Sequence, residues 1–421
     1  MTQREDILSI SVLYRFTLLW CCCLVLLAGC GSTLSQPASS AGAPGTTPTA
    51  SMPYQTTTGV QRQAIEQAML VNQEHKQAEQ ILQGMTLDQK LGQLIMVEYL
   101  GSSYQDSGLQ YMIQQEHVGG FMYQESNSNF ATPYDQIANV AAFSQQAQQD
   151  AHIPLLIATD QEGGLVNRLY TFHGYLPSAQ EMAATGNPRE VYGQGKQDAI
   201  WLRQLGINTD LAPVVDVQTV DPPILESRMF GSDPQTVATY AGAFLNGLQQ
   251  NNVAACLKHF PGLGAVTSDP HTGLPVVDRS MAQLEQIDLE PYKLLLSSEH
   301  PAMVMATDVL MPAIDPNLPA ELSPKAINGV LRGQLGYKGV VITDGLYMQG
   351  ISDQWSLSQA AVLAIIAGDD IVEGPYTPDQ VAGVIAALKT AIQQNQLTVK
   401  RIDQSVLRIL LLKIHYGLLS R

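Results

Sequence analysis

The chain has 421 residues, with 38 acidic side chains against 22 lysines and arginines, and its formal net charge is −16 at pH 7. An acidic balance of this size argues against a nucleic-acid partner and gives no attraction towards anionic lipid headgroups. The length is ample for a large hydrophobic core, so a small fold that depends on disulfide bonds is excluded.

The N-terminal segment is typical of an export signal. Arg4 and Arg15 precede an apolar run over residues 16–27, which is too short to span a bilayer comfortably. The run leads into the sequence LAGC at residues 27–30, which resembles the lipobox of bacterial lipoproteins. We therefore predict a lipoprotein signal peptide over residues 1–29 and a lipidated Cys30 as the first mature residue. The alternative is an ordinary signal peptide that happens to contain cysteines.

Residues 30–59 are predicted to form a flexible tether. From Ser35 to Thr58 the sequence is rich in Ser, Pro, Thr, Ala and Gly and carries no charge, a composition that buries too little apolar surface to offset the entropy of ordering. The lipid on Cys30 is then the only membrane contact expected, for an extracytoplasmic protein anchored at the cell surface. A Gln-rich helical pattern follows over residues 60–84. Besides Cys30, the mature chain would keep only Cys256, so no intramolecular disulfide bond is expected.

From residue 85 to residue 421, short apolar runs alternate with amphipathic stretches, a pattern typical of a parallel sheet covered by helices. Thr86 and Gln89 have the spacing of a capping box, so the first helix of this region is predicted to begin there. The runs predict a single (β/α)8 barrel of the TIM type, an α/β fold with one catalytic domain. The predicted strands are Leu94–Tyr99, Gly119–Tyr123, Pro154–Thr159, Asp210–Val215, Ala254–Lys258, Ala302–Thr307, Gly339–Thr343 and Asp370–Glu373.

Acidic or imidazole side chains end or follow most of these runs. In a (β/α)8 barrel the C-terminal ends of the strands form the active-site face, so these side chains are expected to converge there. Each aspartate alone is explained equally well as a helix N-cap, but the set together favours a site. Its members are Asp160, Asp216, His259, Asp308, Asp344 and Glu373.

The segment after the fifth run begins a long loop. Residues 258–264 read KHFPGLG, in which the glycines and the proline exclude a regular helix. Further along, Asp269 closely precedes His271, so a carboxylate can set the tautomer of an imidazole that donates and accepts protons near neutral pH. Such a pair can protonate a leaving oxygen and then activate water. Taken alone, the same pattern also describes a surface turn.

Several longer motifs follow one another along the chain. They are TDQEGG at residues 159–164, GIN at 206–208 leading to APVVD at 212–216, SRMFG at 227–231, KHFPG at 258–262, VITDGLYM at 341–348 and RID at 401–403. In this order they resemble glycoside hydrolase family 3, specifically its single-domain bacterial β-N-acetylhexosaminidase branch, from about residue 85 onward. The resemblance implies a carbohydrate substrate and a reaction that needs neither a metal nor an organic cofactor.

The resemblance also implies a role for each matching residue. Asp344 would be the nucleophile that forms a covalent glycosyl-aspartate, with overall retention of configuration, and its place after the seventh run suits that role. His271, oriented by Asp269, would be the acid/base. Lys258 lies within an apolar run, where the alternative reading is a salt bridge at the strand end. The implied sugar-binding residues are Asp160, Arg168, Arg228, Lys258 and His259.

The choice of sugar follows from the same resemblance. In the β-glucosidase and β-xylosidase branches a second domain supplies a carboxylate acid/base, whereas this chain ends at Arg421 and offers His271 as proton donor. The implied reaction is exo-hydrolysis of terminal N-acetylglucosamine from glycosides derived from peptidoglycan or chitin. The alternatives are a β-glucosidase-like enzyme, a phosphorolytic enzyme whose neutral histidine does not repel phosphate, and a non-catalytic sugar-binding lipoprotein.

Four positions depart from the family pattern. Gly345 stands where a second Asp is frequent, Asp308 and Leu263 stand where histidines are frequent, and Leu165 stands where an Arg is common. The change of charge at Asp308 is expected to alter the sugar pocket or its pH optimum. Aromatic side chains near the predicted loops can stack on sugars but are more often core or surface filling. They are Tyr123, Tyr347 and Trp355.

Overall fold

Eight parallel strands hydrogen-bond into a closed barrel, which confirms the predicted (β/α)8 fold. The computed structural model describes residues 59–105, 107–221, 225–269 and 272–419. The strands in chain order are β1 (Ile95–Glu98), β2 (Gly120–Met122), β3 (Leu156–Thr159), β4 (Gln161–Gly163), β5 (Val166–Asn167), β6 (Thr209–Asp210), β7 (Ala254–Phe260), β8 (Met303–Ala306), β9 (Val340–Gly345) and β10 (Ile371–Glu373). Around the barrel the order is β1-β2-β3-β6-β7-β8-β9-β10, and β10 closes on β1 with Val372 opposite Ile95.

The barrel strands are buried along their length, apart from Asp344 near the end of β9, which is partly exposed. Side chains fill the barrel from inside while helices cover it from outside, so most of the strands are largely apolar and show no alternation of apolar and polar residues. Aromatic residues beside β1 and β2 form part of this core. The ring of Tyr123 packs edge-on against Tyr99 and Phe121, with centroids 5.9 and 5.2 Å apart. Tyr123 is therefore core filling, as predicted.

Most strand ends lie within two residues of the predicted ones, and the differences in β6 and β7 bear on the site. β6 contains only Thr209 and Asp210, because Pro213 has no N–H group to continue a regular ladder. The chain nevertheless stays beside β7, since the carbonyl oxygen of Pro213 accepts a hydrogen bond from the N–H of Lys258 at 3.2 Å. β7 runs on to Phe260, so His259, which was predicted to follow the strand, lies inside it, and Lys258 is no longer the last residue of the strand.

Helices alternate with the strands. The predicted capping box is confirmed, because Oγ1 of Thr86 accepts from the N–H of Gln89 at 3.2 Å and the N–H of Thr86 donates to Oε1 of Gln89 at 2.9 Å. A π-helix, Lys325–Gln334, lies between β8 and β9. The α-helices are α1 (Gly59–Gly84), α2 (Leu87–Gln93), α3 (Leu109–Gln114), α4 (Ile137–Asp150), α5 (Tyr170–His173), α6 (Ala179–Ala184), α7 (Pro188–Gln204), α8 (Pro234–Gln249), α9 (Met281–Gln286), α10 (Glu290–Ser298), α11 (Gln349–Ser352), α12 (Leu357–Ala367), α13 (Pro378–Gln393) and α14 (Val399–His415).

A buried lysine ties α14 to the N-terminal end of the barrel, while α1 packs on α14. Nζ of Lys413 donates to Oε1 of Gln93 at 2.7 Å and to the carbonyl oxygen of Gly119 at 2.9 Å. Burial lowers the pKa of Lys413 to about 7. Throughout the part of the chain that the structure describes, no helix is both long and apolar enough to cross a membrane.

The hairpin of β4 and β5, which was not among the predicted strands, follows β3 directly. Its turn contains Gly163 and Gly164, with φ angles of 85° and 56°. A Cβ atom at Gly163 would lie 2.1 Å from the carbonyl oxygen of Pro177, so this position needs glycine for both its conformation and its close contact. The hairpin brings Arg168 to the C-terminal face of the barrel.

Candidate active site

A cavity of about 250 Å³ opens at the C-terminal ends of the barrel strands. A larger cavity of about 730 Å³ includes Asn208 and Pro154, which precede β6 and β3, and so lies at the opposite end, where barrels carry stability and not chemistry. The smaller cavity holds most of the predicted site residues. Its lining is Met122, Gln124, Ser126, Asp160, Glu162, Val166, Arg168, Arg228, Lys258, His259, Leu263, Met305, Asp344, Tyr347, Met348 and Glu373.

An ion network forms one wall of this cavity. Nζ of Lys258 lies 2.6 Å from Oδ1 of Asp160 and 2.7 Å from Oε1 of Glu162. Arg228 donates two hydrogen bonds to Glu162, from Nε at 2.7 Å and from Nη2 at 2.8 Å. Gln124 adds a donor to the second oxygen of Asp160 at 3.2 Å. The strand-end salt bridge considered for Lys258 is thus present, and it lies in the wall of the cavity.

The charges in this wall stabilise one another. Burial raises the pKa of Glu162, but the charges of Arg228 and Lys258 and their hydrogen bonds outweigh burial and hold this pKa below its ordinary value. For Lys258 burial lowers the pKa, and the carboxylates of Asp160 and Glu162 raise it more. Both groups therefore stay ionised at neutral pH, and Glu162, which the sequence analysis did not single out, is central to the wall.

His259 is held by a carboxylate from the segment after β6. Its Nδ1 lies 2.7 Å from Oδ2 of Asp216, and Oδ1 of Asp216 accepts a hydrogen bond from the N–H of Leu263 at 2.7 Å. With the Nδ1 proton donated to Asp216, the lone pair of Nε2 faces Nη2 of Arg228 at 3.4 Å. Asp216, predicted to converge on this face, therefore orients His259 and does not itself line the cavity.

Asp344 lies near the end of β9 with both carboxylate oxygens anchored. Oδ2 accepts a hydrogen bond from the hydroxyl group of Thr307 at 2.8 Å, and Oδ1 accepts one from the N–H of Gly345 at 2.9 Å. The N–H of Asp344 itself donates to Oε2 of Glu321 at 3.0 Å. These contacts hold the side chain in one orientation towards the cavity, as a nucleophile requires.

Asp308 lies behind Asp344 and is fully buried, so it does not line the cavity. Burial and the negative charge of Asp344 raise the pKa of Asp308 to about 9. Glu321 is equally buried, and burial together with the charges of Asp308 and Asp344 raises its pKa as well. Of the residues predicted to converge on the active-site face, Asp308 thus lies beneath the surface, where burial favours the neutral form of its carboxyl group.

A second carboxyl pair lies between β10 and β1. Glu373 lines the cavity, as predicted, and it contacts Glu98 of β1, whose Oε2 accepts a hydrogen bond from Asn127 at 2.9 Å. Burial and the proximity of the two groups raise the pKa of Glu373, and burial raises that of Glu98. Glu98 was missed in the sequence, although an acidic residue in an apolar run is a signal of the kind that marked Lys258.

Tyr347 explains the departure at Gly345. A Cβ atom at Gly345 would lie 2.6 Å from Cε1 of Tyr347, so the tyrosine ring occupies the space that a side chain at position 345 would need. Tyr347 lines the cavity, so of the two possibilities considered for it, stacking on a sugar stays a prediction. Trp355 lies in a different surface depression, next to α12 and α13.

Arg168 and Leu263 also line the cavity. Nε of Arg168 is buried and has no hydrogen-bond partner among the residues that the structure describes, so it can donate to a bound ligand. Leu263 is buried and offers an apolar surface where the family often has a histidine. Leu165, the other departure in this region, is 61% exposed at the hairpin turn and is not part of the lining.

Two predicted residues fall outside the described ranges. They are His271 and Cys30. Asp269 itself closes a turn in which its carbonyl oxygen accepts hydrogen bonds from the N–H and the hydroxyl group of Thr272, each at 2.9 Å. In the described ranges, no cluster of three or more His, Cys, Asp or Glu side chains is placed to hold a metal ion.

Comparison with known proteins agrees with this architecture. The relative Beta-hexosaminidase LpqI of Mycobacterium tuberculosis is 34% identical over 332 residues, which cover 77% of this chain and 82% of the relative. A glycoside hydrolase family 3 β-N-acetylglucosaminidase from Paenibacillus has a similar structure, with a TM-score of 0.75, 36% identity, and coverage of 79% of this chain and 63% of that one. For a β-N-acetylhexosaminidase from Beutenbergia cavernae the TM-score is 0.70, the identity 31%, and the coverage 77% and 98%.

The family itself is recognised over most of the chain. Residues 86–412 match the sequence model of the family described as "Glycosyl hydrolase family 3 N terminal domain". This range contains the whole barrel, the cavity and the motifs on which the resemblance rests. The chain therefore belongs to glycosyl hydrolase family 3 and is a glycosidase.

Proposed function

We propose that this glycosidase is a retaining exo-β-N-acetylhexosaminidase that releases terminal N-acetylglucosamine from glycosides derived from peptidoglycan or chitin. The observation that carries the proposal is the anchored carboxylate of Asp344, which faces a cavity walled by the Lys258, Asp160, Glu162 and Arg228 ion network. Several relatives are named β-hexosaminidase, β-N-acetylhexosaminidase or β-N-acetylglucosaminidase, and these names support the choice of sugar.

In the proposed first step Asp344 attacks the anomeric carbon of the terminal sugar. The bond from that carbon to the leaving oxygen breaks as an ester to Asp344 forms, while His271 protonates the leaving oxygen. The hydrogen bonds from Thr307 and from the N–H of Gly345 hold the carboxylate in position before the substrate arrives. Water, deprotonated by His271, then hydrolyses the ester, and two inversions give net retention.

Recognition of the sugar is assigned to the ion-paired wall. The carboxylate of Asp160 accepts hydrogen bonds from sugar hydroxyl groups, and the contact with Lys258 fixes its position. Arg168 contributes its buried, unpartnered Nε as a donor to the sugar, and His259 lines the same cavity. Because Lys258 and Arg228 are committed to Glu162, the wall is rigid before binding and little side-chain entropy is lost on association.

Release of nitrophenol from the β-N-acetylglucosaminide and from the β-glucoside tests the reaction, the sugar and the roles together. We expect rapid cleavage of the first substrate, abolition by Asp344→Asn and strong slowing by His271→Ala. Preference for the glucoside would favour the β-glucosidase-like alternative, and sugar phosphate among the products in phosphate buffer would favour phosphorolysis. Binding without turnover of either substrate would favour the sugar-binding lipoprotein, and failure to release N-acetylglucosamine from digested cell wall would remove the peptidoglycan substrate.

We further propose that the protein is exported and anchored through Cys30, with the tether at residues 30–59 separating it from the membrane. The export signal at residues 1–29 supports this proposal. A relative from Arthroderma benhamiae that is 30% identical is named "Uncharacterized secreted glycosyl hydrolase", which agrees with export. Fractionation of cells that express the wild type and Cys30→Ala tests this anchor. We expect the wild type in the membrane fraction with a labelled acyl chain, and recovery of unlabelled wild type in soluble fractions would contradict it.

A further inference from the structure

A pair of buried carboxyl groups lies directly behind the candidate nucleophile. Asp308 and Glu321 are both 0% exposed and do not line the cavity, so the mechanism above does not use them. Oδ2 of Asp308 and Oε1 of Glu321 have no hydrogen-bond partner within the described ranges. Leaving two charges unpaired in such a place costs several kcal/mol each, so these groups are expected to be neutral.

Thr307 connects Asp308 to the nucleophile. Its Oγ1 lies 2.8 Å from Oδ2 of Asp344 and 3.4 Å from Oδ1 of Asp308. A hydroxyl group has one proton and an ionised carboxylate only accepts, so Thr307 must donate to Asp344 when Asp344 is ready to attack. The contact with Asp308 is then favourable only if Asp308 carries a proton and donates it to Oγ1.

We propose that Asp308 is a positioning residue, a neutral carboxylic acid whose O–H group orients the hydroxyl of Thr307 towards Asp344. This inference rests on the proposed role of Asp344. It also accounts for the departure from the family pattern, because a protonated carboxyl group can donate one hydrogen bond from this position, as a histidine can. Asp308 therefore acts on the reaction through Thr307 and never touches the sugar.

The surroundings of Asp308 favour its neutral form. Burial raises its pKa most, followed by the charge of Asp344 on β9, and the carboxylate of Asp269 in the loop after β7 contributes less. Glu321, which follows β8 in sequence, is a further acidic neighbour, because the charge of Asp308 contributes to its raised pKa. From α11 only backbone approaches, since a Cβ atom at Gly350 would lie 2.1 Å from Oδ2 of Asp308.

The proposed role of Asp308 predicts a slower reaction at alkaline pH. With its pKa raised to about 9, Asp308 keeps its proton through neutral pH and loses it in the alkaline range. An ionised Asp308 can no longer donate to Thr307 and repels the negative charge of Asp344. We therefore expect Asp308 to cause a fall in glycosylation rate at alkaline pH, which a purely structural residue would not do.

The test is the pH profile of kcat/KM with dinitrophenyl β-N-acetylglucosaminide. The leaving group of this substrate needs little protonation, so kcat/KM depends little on proton donation by His271. Asp308→Asn keeps the size of the side chain and a donor group but cannot ionise. At neutral pH we expect this variant to stay within about threefold of the wild type. Its alkaline fall should move up by about one pH unit or more, or disappear.

Matched variants separate this role from a general effect of a buried acid. Asp198→Asn removes another fully buried carboxyl group, on α7 and away from the cavity, and its profile should superimpose on that of the wild type. Thr307→Val removes the bridge, so it should lower kcat by about 10- to 100-fold, and adding Asp308→Asn to it should change the profile no further. Circular dichroism of each variant verifies folding.

Three results would overturn the inference. They are an unchanged alkaline fall in Asp308→Asn, the same shift in Asp198→Asn, and a shift in Glu321→Gln that is absent in Asp308→Asn. If the wild type cleaves the substrate and one of these results is obtained, only the role of Asp308 fails. If the wild type releases no dinitrophenol at any pH, the proposed function fails and the role of Asp308 falls with it.

Discussion

Replacement of Lys258 by methionine tests whether the ion network holds the sugar-binding carboxylates. Methionine keeps an unbranched, flexible side chain but has no charge, so Lys258→Met removes the contacts of Nζ with Asp160 and Glu162 at 2.6 and 2.7 Å. Lys258 is only 2% exposed, and water therefore replaces the missing cation poorly. The substitution leaves two carboxylates beside each other in a largely dry wall.

The size of the effect follows from the remaining contacts. Removing one partner from a buried ion pair costs about 3–5 kcal/mol. The lower end applies here, because Glu162 keeps both hydrogen bonds from Arg228 and Asp160 keeps the amide of Gln124. With an unfolding entropy of about 0.7 kcal/mol/K for a domain of roughly 330 residues, a loss of about 3 kcal/mol lowers Tm by about 4 °C. Displacement of Asp160 should also lower kcat/KM by about 100-fold.

Thermal unfolding at neutral pH and steady-state kinetics on the nitrophenyl N-acetylglucosaminide measure the two effects. Lys258→Arg is the matched control, since it keeps the positive charge with altered geometry and should retain most of the stability while losing part of the activity. A Lys258→Met variant whose Tm stays within about 1 °C and whose kcat/KM stays within about threefold of the wild type would refute the reasoning, because the network would then contribute neither stability nor positioning.

Three further predictions concern other parts of the molecule. Arg228→Lys loses the two-pronged contact with Glu162, so kcat/KM should fall by about tenfold, and unchanged kinetics would show that a single charge suffices. Gly345→Asp forces a Cβ atom to within 2.6 Å of the ring of Tyr347, so Tm should fall and a second substitution, Tyr347→Ser, should restore it; lack of recovery would speak against this clash. Burial raises the pKa of Asp198 from 3.8 to about 7, so as the pH rises the unfolded chain releases this proton before the folded protein does. The wild type should therefore lose stability between pH 3.8 and about pH 7, whereas Asp198→Asn should not show this loss. Parallel Tm curves of the two proteins from pH 4 to pH 8 would contradict that sign.

Much of the fold could be read from the sequence because its signals are local. Most barrel strands lie in short apolar runs bounded by polar or turn residues, and the capping residues of α2 mark the start of the first helix of the barrel region. The predicted strand boundaries were wrong where tertiary contacts, which a local sequence pattern does not contain, decide where a strand ends. β6 stops early because of Pro213, and β7 continues to Phe260 because its neighbours supply hydrogen bonds.

The motifs likewise contain half of the residues that line the cavity, among them Asp160, Lys258 and Asp344. The sequence did not show which of these side chains contact one another in the cavity. Lys258 and Asp160 are 98 positions apart, and only closure of the barrel at a definite register brings Nζ and Oδ1 within 2.6 Å. Glu162 lay inside a recognised motif without any sign that it would accept hydrogen bonds from Arg228.

The sequence by itself thus determined the number and approximate place of the strands, the family, and the residues that approach the C-terminal face, because hydrophobic period and motif order are properties of consecutive residues. Only the tertiary structure decided which of these side chains meet. It placed Asp308 behind Asp344 through Thr307, turned Asp216 towards His259, and paired Glu98 with Glu373. Protonation depends on such distances and on burial, neither of which a linear pattern contains.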